Sequence, residues 1–174
     1  MASALPQPPA NATIRRLDAA DADLWRAIRL QSLQDSPDAF GATYEQAVAQ
    51  PAEWFRDRLI GSDPMFGAFV ANNIVGSAGC YVGTEPKSLH KGHIWAMYVA
   101  PDHRRSGIGR ALLEAVIADL SPRVDQFHLG VVAGNPAGYD FYRRLGFAAY
   151  GIEPRAMRSK GRDLDLILMA KLLR

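Results

Sequence analysis

The stretch Val99-Ala100-Pro101-Asp102-His103-Arg104-Arg105-Ser106-Gly107-Ile108-Gly109-Arg110-Ala111-Leu112-Leu113 decides the reading of this sequence. A strand ends, a short basic loop follows, and a helix begins. The helix spans Gly107 to Leu120, because Ile108, Leu112, Ala115/Val116 and Asp119/Leu120 step by about four. A helix start has backbone N–H groups without intrahelical partners and the positive end of the dipole. Gly107 and Gly109 let an anion approach the backbone, and Arg104, Arg105 and Arg110 add charge. Together these features suit a phosphate group. The plain alternative is a glycine-rich helix start with solvated arginines.

Two nucleotide-binding loops fit poorly. The P-loop needs a Gly-Lys-Ser/Thr ending, and the stretch has no lysine. The dinucleotide fingerprint needs a third glycine, where this chain has Leu112.

On the N-terminal side, Gly92 to Ala100 reads as a strand. Strict alternation puts Trp95, Met97 and Val99 on one face and Ile94, Ala96 and Tyr98 on the other. Both faces are largely apolar, which predicts a central strand covered on both sides. Phe66 to Ala71 and Ile74 to Val82 predict a hairpin around Asn72-Asn73. Helix-capping residues at Asp18 to Asp23 precede a helix that stops near Asp35-Ser36-Pro37. A second helical stretch runs from Tyr44 to Leu59, with Pro51 as a break or new start. Thr13 to Leu17 is a first strand, and residues 1–11 read as a flexible tail. On the C-terminal side, Asp125 to Val132 predicts a strand and Pro136 to Leu145 a short helix ended by Gly146. Phe147 to Ile152 and Asp163 to Lys171 are the last strands. Glu153 to Arg162, polar and basic, reads as a loop between them. The order β-α-α-β-β-β-α-β-α-β-β implies one α/β domain over residues 12–174, with a mixed sheet. Gly107 to Leu120 serves as a crossover between parallel strands.

Composition narrows the function. The chain has 174 residues, 48% of them hydrophobic, and a formal net charge of +2. A general nucleic-acid binder needs a large basic excess, so no nucleic-acid partner is expected. The one cysteine, Cys80, cannot form an internal disulfide and reads as a core residue. His90, His93, His103 and His128 form no ligand pair, so no metal site is expected. The N-terminus lacks a secretory pattern, and no apolar run approaches a membrane span. A cytoplasmic protein without a membrane partner is the expectation.

Arg104-x-x-Gly107-x-Gly109, after Met97-Tyr98-Val99 and before a Leu-Leu helix, resembles the acetyl-CoA loop of the GNAT superfamily of N-acetyltransferases. Asn135-Pro136-Ala137-Gly138-Tyr139-Asp140-Phe141-Tyr142-Arg143-Arg144-Leu145-Gly146-Phe147 resembles that family's second signature. The resemblance covers about residues 12 to 173. Ser32 to Tyr44, with its Ser-Pro-Asp-Ala-Phe-Gly, is similar to a bacterial subgroup.

The resemblance implies a mostly antiparallel sheet of about seven strands, flanked by about four helices. A parallel pair should splay apart at the CoA site. It implies acetyl-CoA as cosubstrate, an amine-bearing acceptor, and a monomer or homodimer. The pantetheine arm would lie along Met97, Tyr98 and Val99. The pyrophosphate would sit on Arg104, Arg105, Ser106, Gly107, Ile108 and Gly109, with Arg110 opening the helix. Asn135 would hydrogen-bond the arm; an N-cap before Pro136 is equally good local chemistry.

Tyr142 matches the general-acid position, where a phenol would protonate the departing thiolate. Core packing is the ordinary role of an aromatic at that spacing. For the base, many relatives carry a Glu on the strand before the loop, but Gly92 to Ala100 has no carboxylate. His93 is the nearest titratable group in that strand, and a solvated histidine is its other reading. His128, Glu153 and Asp163 are weaker candidates. Phe40, Tyr44 and Trp54 either line an acceptor pocket or belong to the core. Arg155, Arg158, Lys160 and Arg162 suit an acidic acceptor or a solvated surface. The missing carboxylate leaves room for a second reading, a non-catalytic acyl-CoA-binding or regulatory module.

Overall fold

A computed structural model describes residues 6–173. Seven strands form one sheet: β1 (Ala12–Arg16), β2 (Met65–Val70), β3 (Asn73–Val82), β4 (Lys91–Val99), β5 (Gln126–Val132), β6 (Ala148–Ser159) and β7 (Arg162–Leu172). Their order across the sheet is β1-β2-β3-β4-β5-β7-β6. Every neighbouring pair is antiparallel except β4 and β5. Five α-helices pack on it: α1 (Ala22–Asp35), α2 (Tyr44–Val48), α3 (Ala52–Ile60), α4 (Ile108–Leu120) and α5 (Pro136–Arg144). Pro51 ends the α2 segment and caps α3, as the break in Tyr44 to Leu59 predicted. Residues 1–5 of the expected tail lie outside the described residues.

The sheet separates two apolar layers. On one side α4 buries Ile108, Leu112, Leu113, Val116 and Leu120 completely, against Ala78, Ile94 and Phe127 among others. Each such side chain contributes roughly 1.5–3 kcal/mol by leaving water, so the start of α4 is firmly seated. Cys80 belongs to this layer, and burial, aided by the charge of Asp63, pushes its thiol up to about 12. On the other side Trp25 and Ile28 of α1 meet Phe55 and Leu59 of α3 and the strand residues Met65, Ala96 and Tyr98.

Three local features differ from the sequence reading. First, β4 does not alternate strictly. Ala96 has φ of 51° and inserts an extra residue opposite β3, between the pairs Gly79–Trp95 and Ser77–Tyr98. The Ser77 hydroxyl donates to the Ala96 carbonyl at 3.1 Å and pins this bulge. Trp95, Ala96 and Tyr98 therefore pack on the α1–α3 side, while Ile94, Met97 and Val99 pack on the α4 side. A bulge re-aims the side chains that follow it.

Second, the β2–β3 turn is Ala71-Asn72, both at positive φ, one residue earlier than expected. Third, Glu153 to Arg162 is not a loop. It is the tip of a long hairpin, with Glu153 to Ser159 in β6 and the turn at Lys160 and Gly161, again both at positive φ. This is the two-residue turn whose twist matches paired strands. Its strand β6 is a sheet edge and mostly exposed, so it needs no apolar alternation to read as a strand.

Candidate active site

β4 and β5 are paired only from Lys91–Gln126 to His93–His128. Beyond that point they part, and a cleft of about 1160 Å³ opens between them. Met97, Tyr98 and Val99 form one wall and Gly130, Val131 and Val132 the other. With β5 gone, the backbone groups of β4 on that edge have no strand partner. This is the splayed parallel pair, and it exists because β4 bulges and turns away while β5 stays paired with β7 to Val132.

The loop end of the cleft is built from Arg104, Arg105, Gly107, Gly109 and Arg110. Gly107 is the N-cap of α4, at φ of 85°, and offers no side-chain cap. The first intrahelical bond from this turn is Ala111 N–H to the Gly107 carbonyl. The N–H groups of Ile108, Gly109 and Arg110 therefore precede the helical ladder. Arg105, at φ of 58°, makes a second left-handed residue two before Gly107. Such alternation turns successive N–H groups toward one point and suits an anion. A Cβ on Gly109 would stand 3.3 Å from Met97 Cε and 3.4 Å from Phe141 Cζ, so glycine lets α4 begin against β4 and α5. The segment Pro6–Pro8 runs over Gly107, where a Cβ would come within 2.5 Å of the Pro6 carbonyl oxygen.

The three arginines are not equivalent. Arg104 donates from Nε to the Val99 carbonyl at 2.9 Å and covers the Tyr98 ring at 5.7 Å. Arg110 pairs with Glu114 at 2.7 Å on the helix surface. The backbone rather than these two side chains is free for an anion at this end. Ser106 and Ile108 do not line the cleft: the Ser106 hydroxyl donates to the His103 carbonyl at 2.6 Å, and the Ile108 side chain is fully buried under α4.

α5 forms the adjoining wall. The Asn135 side chain accepts from Gly138 N–H at 2.9 Å, so its N-cap role is present, and the residue also lines the cleft. Tyr142 lines the cleft too, its ring edge-on to Phe141 at 5.1 Å and Phe147 at 5.8 Å. Burial raises the pKa of its phenol above the ordinary tyrosine value, so it carries its proton at neutral pH. Its hydroxyl has no hydrogen-bond partner among the described residues.

The far end is walled by Asp35 to Phe40, with Arg162 and Leu164 from the β6–β7 hairpin. Tyr98 donates its hydroxyl to Asp35, and burial together with that bond raises its pKa. Asp38 accepts from the Ser159 hydroxyl and from Arg162 at 3.0 Å, which ties the turn after α1 to the hairpin. The sequence reading named Arg162 only as a basic-loop residue and missed Asp35 and Asp38. Their signal was the Ser-Pro-Asp-Ala-Phe-Gly stretch, whose proximity to β6–β7 no local pattern reveals.

His93 stands elsewhere. It stacks on Tyr81 at 4.9 Å and faces His128 at 5.6 Å, at the joined end of β4 and β5. Neither histidine lines the cleft, and neither do Glu153, Asp163, Tyr44 or Trp54. Trp54 stacks on Trp25 at 6.3 Å. Of the three aromatic candidates only Phe40 lines the cleft. No cluster of three metal-ligating side chains occurs among the described residues. No described helix is long and apolar enough to cross a membrane.

Residues 26–147 match the family model described as the acetyltransferase (GNAT) family. The chain is 29% identical over 167 residues to the mycothiol acetyltransferase of Salinispora arenicola, covering 91% of this chain and 52% of that protein. It thus spans about half the length of the mycothiol acetyltransferases it matches. It is 32% identical over 126 residues to the L-methionine sulfoximine/L-methionine sulfone acetyltransferase of Pseudomonas aeruginosa, covering 70% of this chain and 72% of that protein. A GNAT-family acetyltransferase structure from Streptococcus pneumoniae superposes with a TM-score of 0.84 at 20% identity, covering 94% of this chain and 99% of that one. The two motifs, the parted strands and the extent of these matches agree: the chain belongs to the GNAT acetyltransferase family.

Proposed function

We propose that this protein moves an acetyl group from acetyl-CoA to an amine in a ternary complex, with Tyr142 as general acid. The observation that carries this reading is an unpartnered, protonated phenol lining the cleft whose other end is an uncapped helix start. Bound acetyl-CoA supplies the acetyl thioester. The N–H groups from Ile108 to Arg110 and the positive end of α4 would hold its pyrophosphate. The unpaired edge of β4 through Met97, Tyr98 and Val99 would align the arm and offer an N–H group to the thioester oxygen. Asn135, fixed as the cap of α5, would orient the arm from the opposite wall. Tyr142 would deliver its proton to the departing sulfur, and no covalent bond to the enzyme is needed.

His93 sits where β4 and β5 are still paired and does not line the cleft, so we assign it no role. Asp35, held by Tyr98 at the far end, is the carboxylate we assign to meeting the incoming ammonium and taking one proton from it, so that a neutral amine attacks the thioester carbon; the proton the nitrogen then loses as the amide forms restores the Tyr142 phenol. The relatives' names give different acceptors, so family membership alone does not fix the amine.

The test is thiol release from acetyl-CoA over a broad panel of amines. The wild-type protein is expected to release thiol with a subset of them. Tyr142→Phe is expected to lower kcat about 100-fold, the range of general acid catalysis, with acetyl-CoA KM within about twofold. Full activity in that variant removes Tyr142 from the mechanism. Acetyl-CoA binding without release on any amine favours the non-catalytic module.

A further inference from the structure

Among the described residues the buried polar side chains are Asp21, Arg29, Ser32 and Ser77. Three have their partners. Asp21 receives both forks of Arg15 at 2.6 and 2.7 Å, Ser32 donates to the Arg29 carbonyl, and Ser77 donates to the Ala96 carbonyl. Arg29 is the exception. It is 8% exposed, yet its guanidinium makes no hydrogen bond and no ion pair among the described residues. Burial alone lowers its pKa, to about 10, so it remains a cation at neutral pH, with no carboxylate near enough to offset the burial.

Two aromatic faces hold it. Its Cζ lies 4.8 Å from the Phe40 ring centre and 6.0 Å from that of Trp95. Such contacts offset part of the lost hydration but leave the guanidinium's N–H donors unused. A buried charge without a partner is costly, and proteins generally pair it. The guanidinium does not itself line the cleft, but one of the two rings that hold it does. Phe40 lines the far end of the cleft, so the guanidinium sits one ring behind that wall. Trp95 immediately precedes the bulged Ala96 that redirects β4 along the cleft. Among the described residues the fully enclosed unpaired donors are Trp25 Nε1 and Arg26 Nε. The nitrogens of Arg29 are not among them, so they keep a narrow opening.

We propose that Arg29 recognises an anionic group on the acceptor, and that the amine acetylated here belongs to a small molecule bearing a carboxylate, of the amino-acid class. This rests on the acetyltransferase reading above and adds the substrate class. A planar guanidinium held between rings offers a fork matched to a carboxylate. Asp35, at the same end of the cleft, would meet the acceptor's ammonium, and Arg29 its carboxylate. The hydroxyl of Tyr98 already occupies one oxygen of Asp35, which keeps that acid facing β4.

The experiment compares matched acceptors: free leucine, phenylalanine and glutamine, each against its α-amide. Amidation lowers the pKa of the amine, so intrinsic reactivity favours the amides. We expect the wild-type protein to favour the acids by about 30-fold in kcat/KM, the worth of one charge-assisted pair. Arg29→Met, which keeps much of the packing against Phe40 and Trp95, should reduce that ratio to below about threefold. Arg29→Lys should retain part of it. Wild-type amides used as well as acids, or a preference surviving in Arg29→Met, would overturn the inference while leaving the acetyltransferase reading intact. Thiol release from none of these acids or amides overturns the substrate class, and only silence across the broad amine panel overturns the acetyltransferase reading as well. If Arg29→Met does not fold by circular dichroism, the wild-type ratio and Arg29→Lys decide the question.

Discussion

The two ends of the cleft are made of different material. At the loop end the working groups are backbone N–H groups, presented by Gly107, Gly109 and a left-handed Arg105 within five residues of chain. At the far end they are side chains drawn from distant segments: Asp35 at the end of α1 and Asp38 just after it, Tyr98 on β4, and Ser159 and Arg162 on the last hairpin. A site of backbone groups is fixed by local conformation, so it tolerates changes of side chain but not of dihedral angle. A site of side chains is fixed by topology, so the residues can vary while the frame stays. The first end suits a cosubstrate common to a family, the second an acceptor that differs between members.

The largest effect is expected from breaking the loop end alone. Gly107→Val puts a β-branched residue at φ of 85°, a region that costs a non-glycine residue roughly 1–2 kcal/mol. Its Cβ would also stand 2.5 Å from the Pro6 carbonyl oxygen and the Gln7 carbonyl carbon. The loop must shift, and the N–H groups with it. Calorimetric titration should show the Kd for CoA raised about 30-fold, equivalent to ~2 kcal/mol. A Kd within about threefold of wild type would mean that side chains, not backbone, hold the phosphates.

The same contrast explains what the sequence disclosed. The loop end was legible because glycines at fixed offsets before a periodic helix state both the dihedral angle and the free donors. Asn135, Pro136 and Gly146 marked α5 in the same local way. The far end was not legible, since nothing in Asp35 or Asp38 indicates which hairpin will fold against them. The bulge at Ala96 was hidden as well, because alanine carries no turn signal and Ser77, which pins it, is 19 residues away. Period-2 reading then assigned Trp95 and Met97 to one face. The first half of edge strand β6 was legible from Phe147 to Ile152, but Glu153 to Ser159 reads as a loop for want of apolar alternation, although Lys160-Gly161 was a visible turn. His93 was chosen by its position in sequence, four residues before Met97, but β4 and β5 are still joined there.

A smaller and opposite effect is expected from loosening the far end. Asp38→Ala removes the acceptor for the Ser159 hydroxyl and for Arg162. The ion pair is largely exposed, so stability should fall by less than ~1 kcal/mol. Acceptor KM should rise about fivefold while acetyl-CoA KM stays within about twofold. Steady-state kinetics with each substrate varied in turn reads both. If the two KM values move together in this variant and in Gly107→Val, the ends are one site rather than two.

The smallest effect is expected at the apex between the two ends, where His93 and His128 face each other across the last parallel pair. Burial lowers both pKa values. The charge of Lys91 adds to the effect on His93, and the charges of His93, Lys91 and His90 add to that on His128. A histidine with a folded pKa below its ordinary 6.5 binds its proton more readily in the unfolded chain. In the window that opens near pH 6.5 and extends down to the folded values, the unfolded state therefore holds more protons. Stability is lost as pH falls through that window and is unaffected by these groups above it. Both rings keep partial contact with water, which screens the effect. Urea midpoints at pH 7.5 and 5.5 should differ less in His93→Gln than in the wild-type protein, because one titrating ring is gone and the other loses a like-charged neighbour. Carboxylates contribute equally to both proteins, so the difference between the two drops isolates the histidines. An identical drop would mean that the apex does not feel the charge, and that the strands part there for reasons of backbone geometry alone.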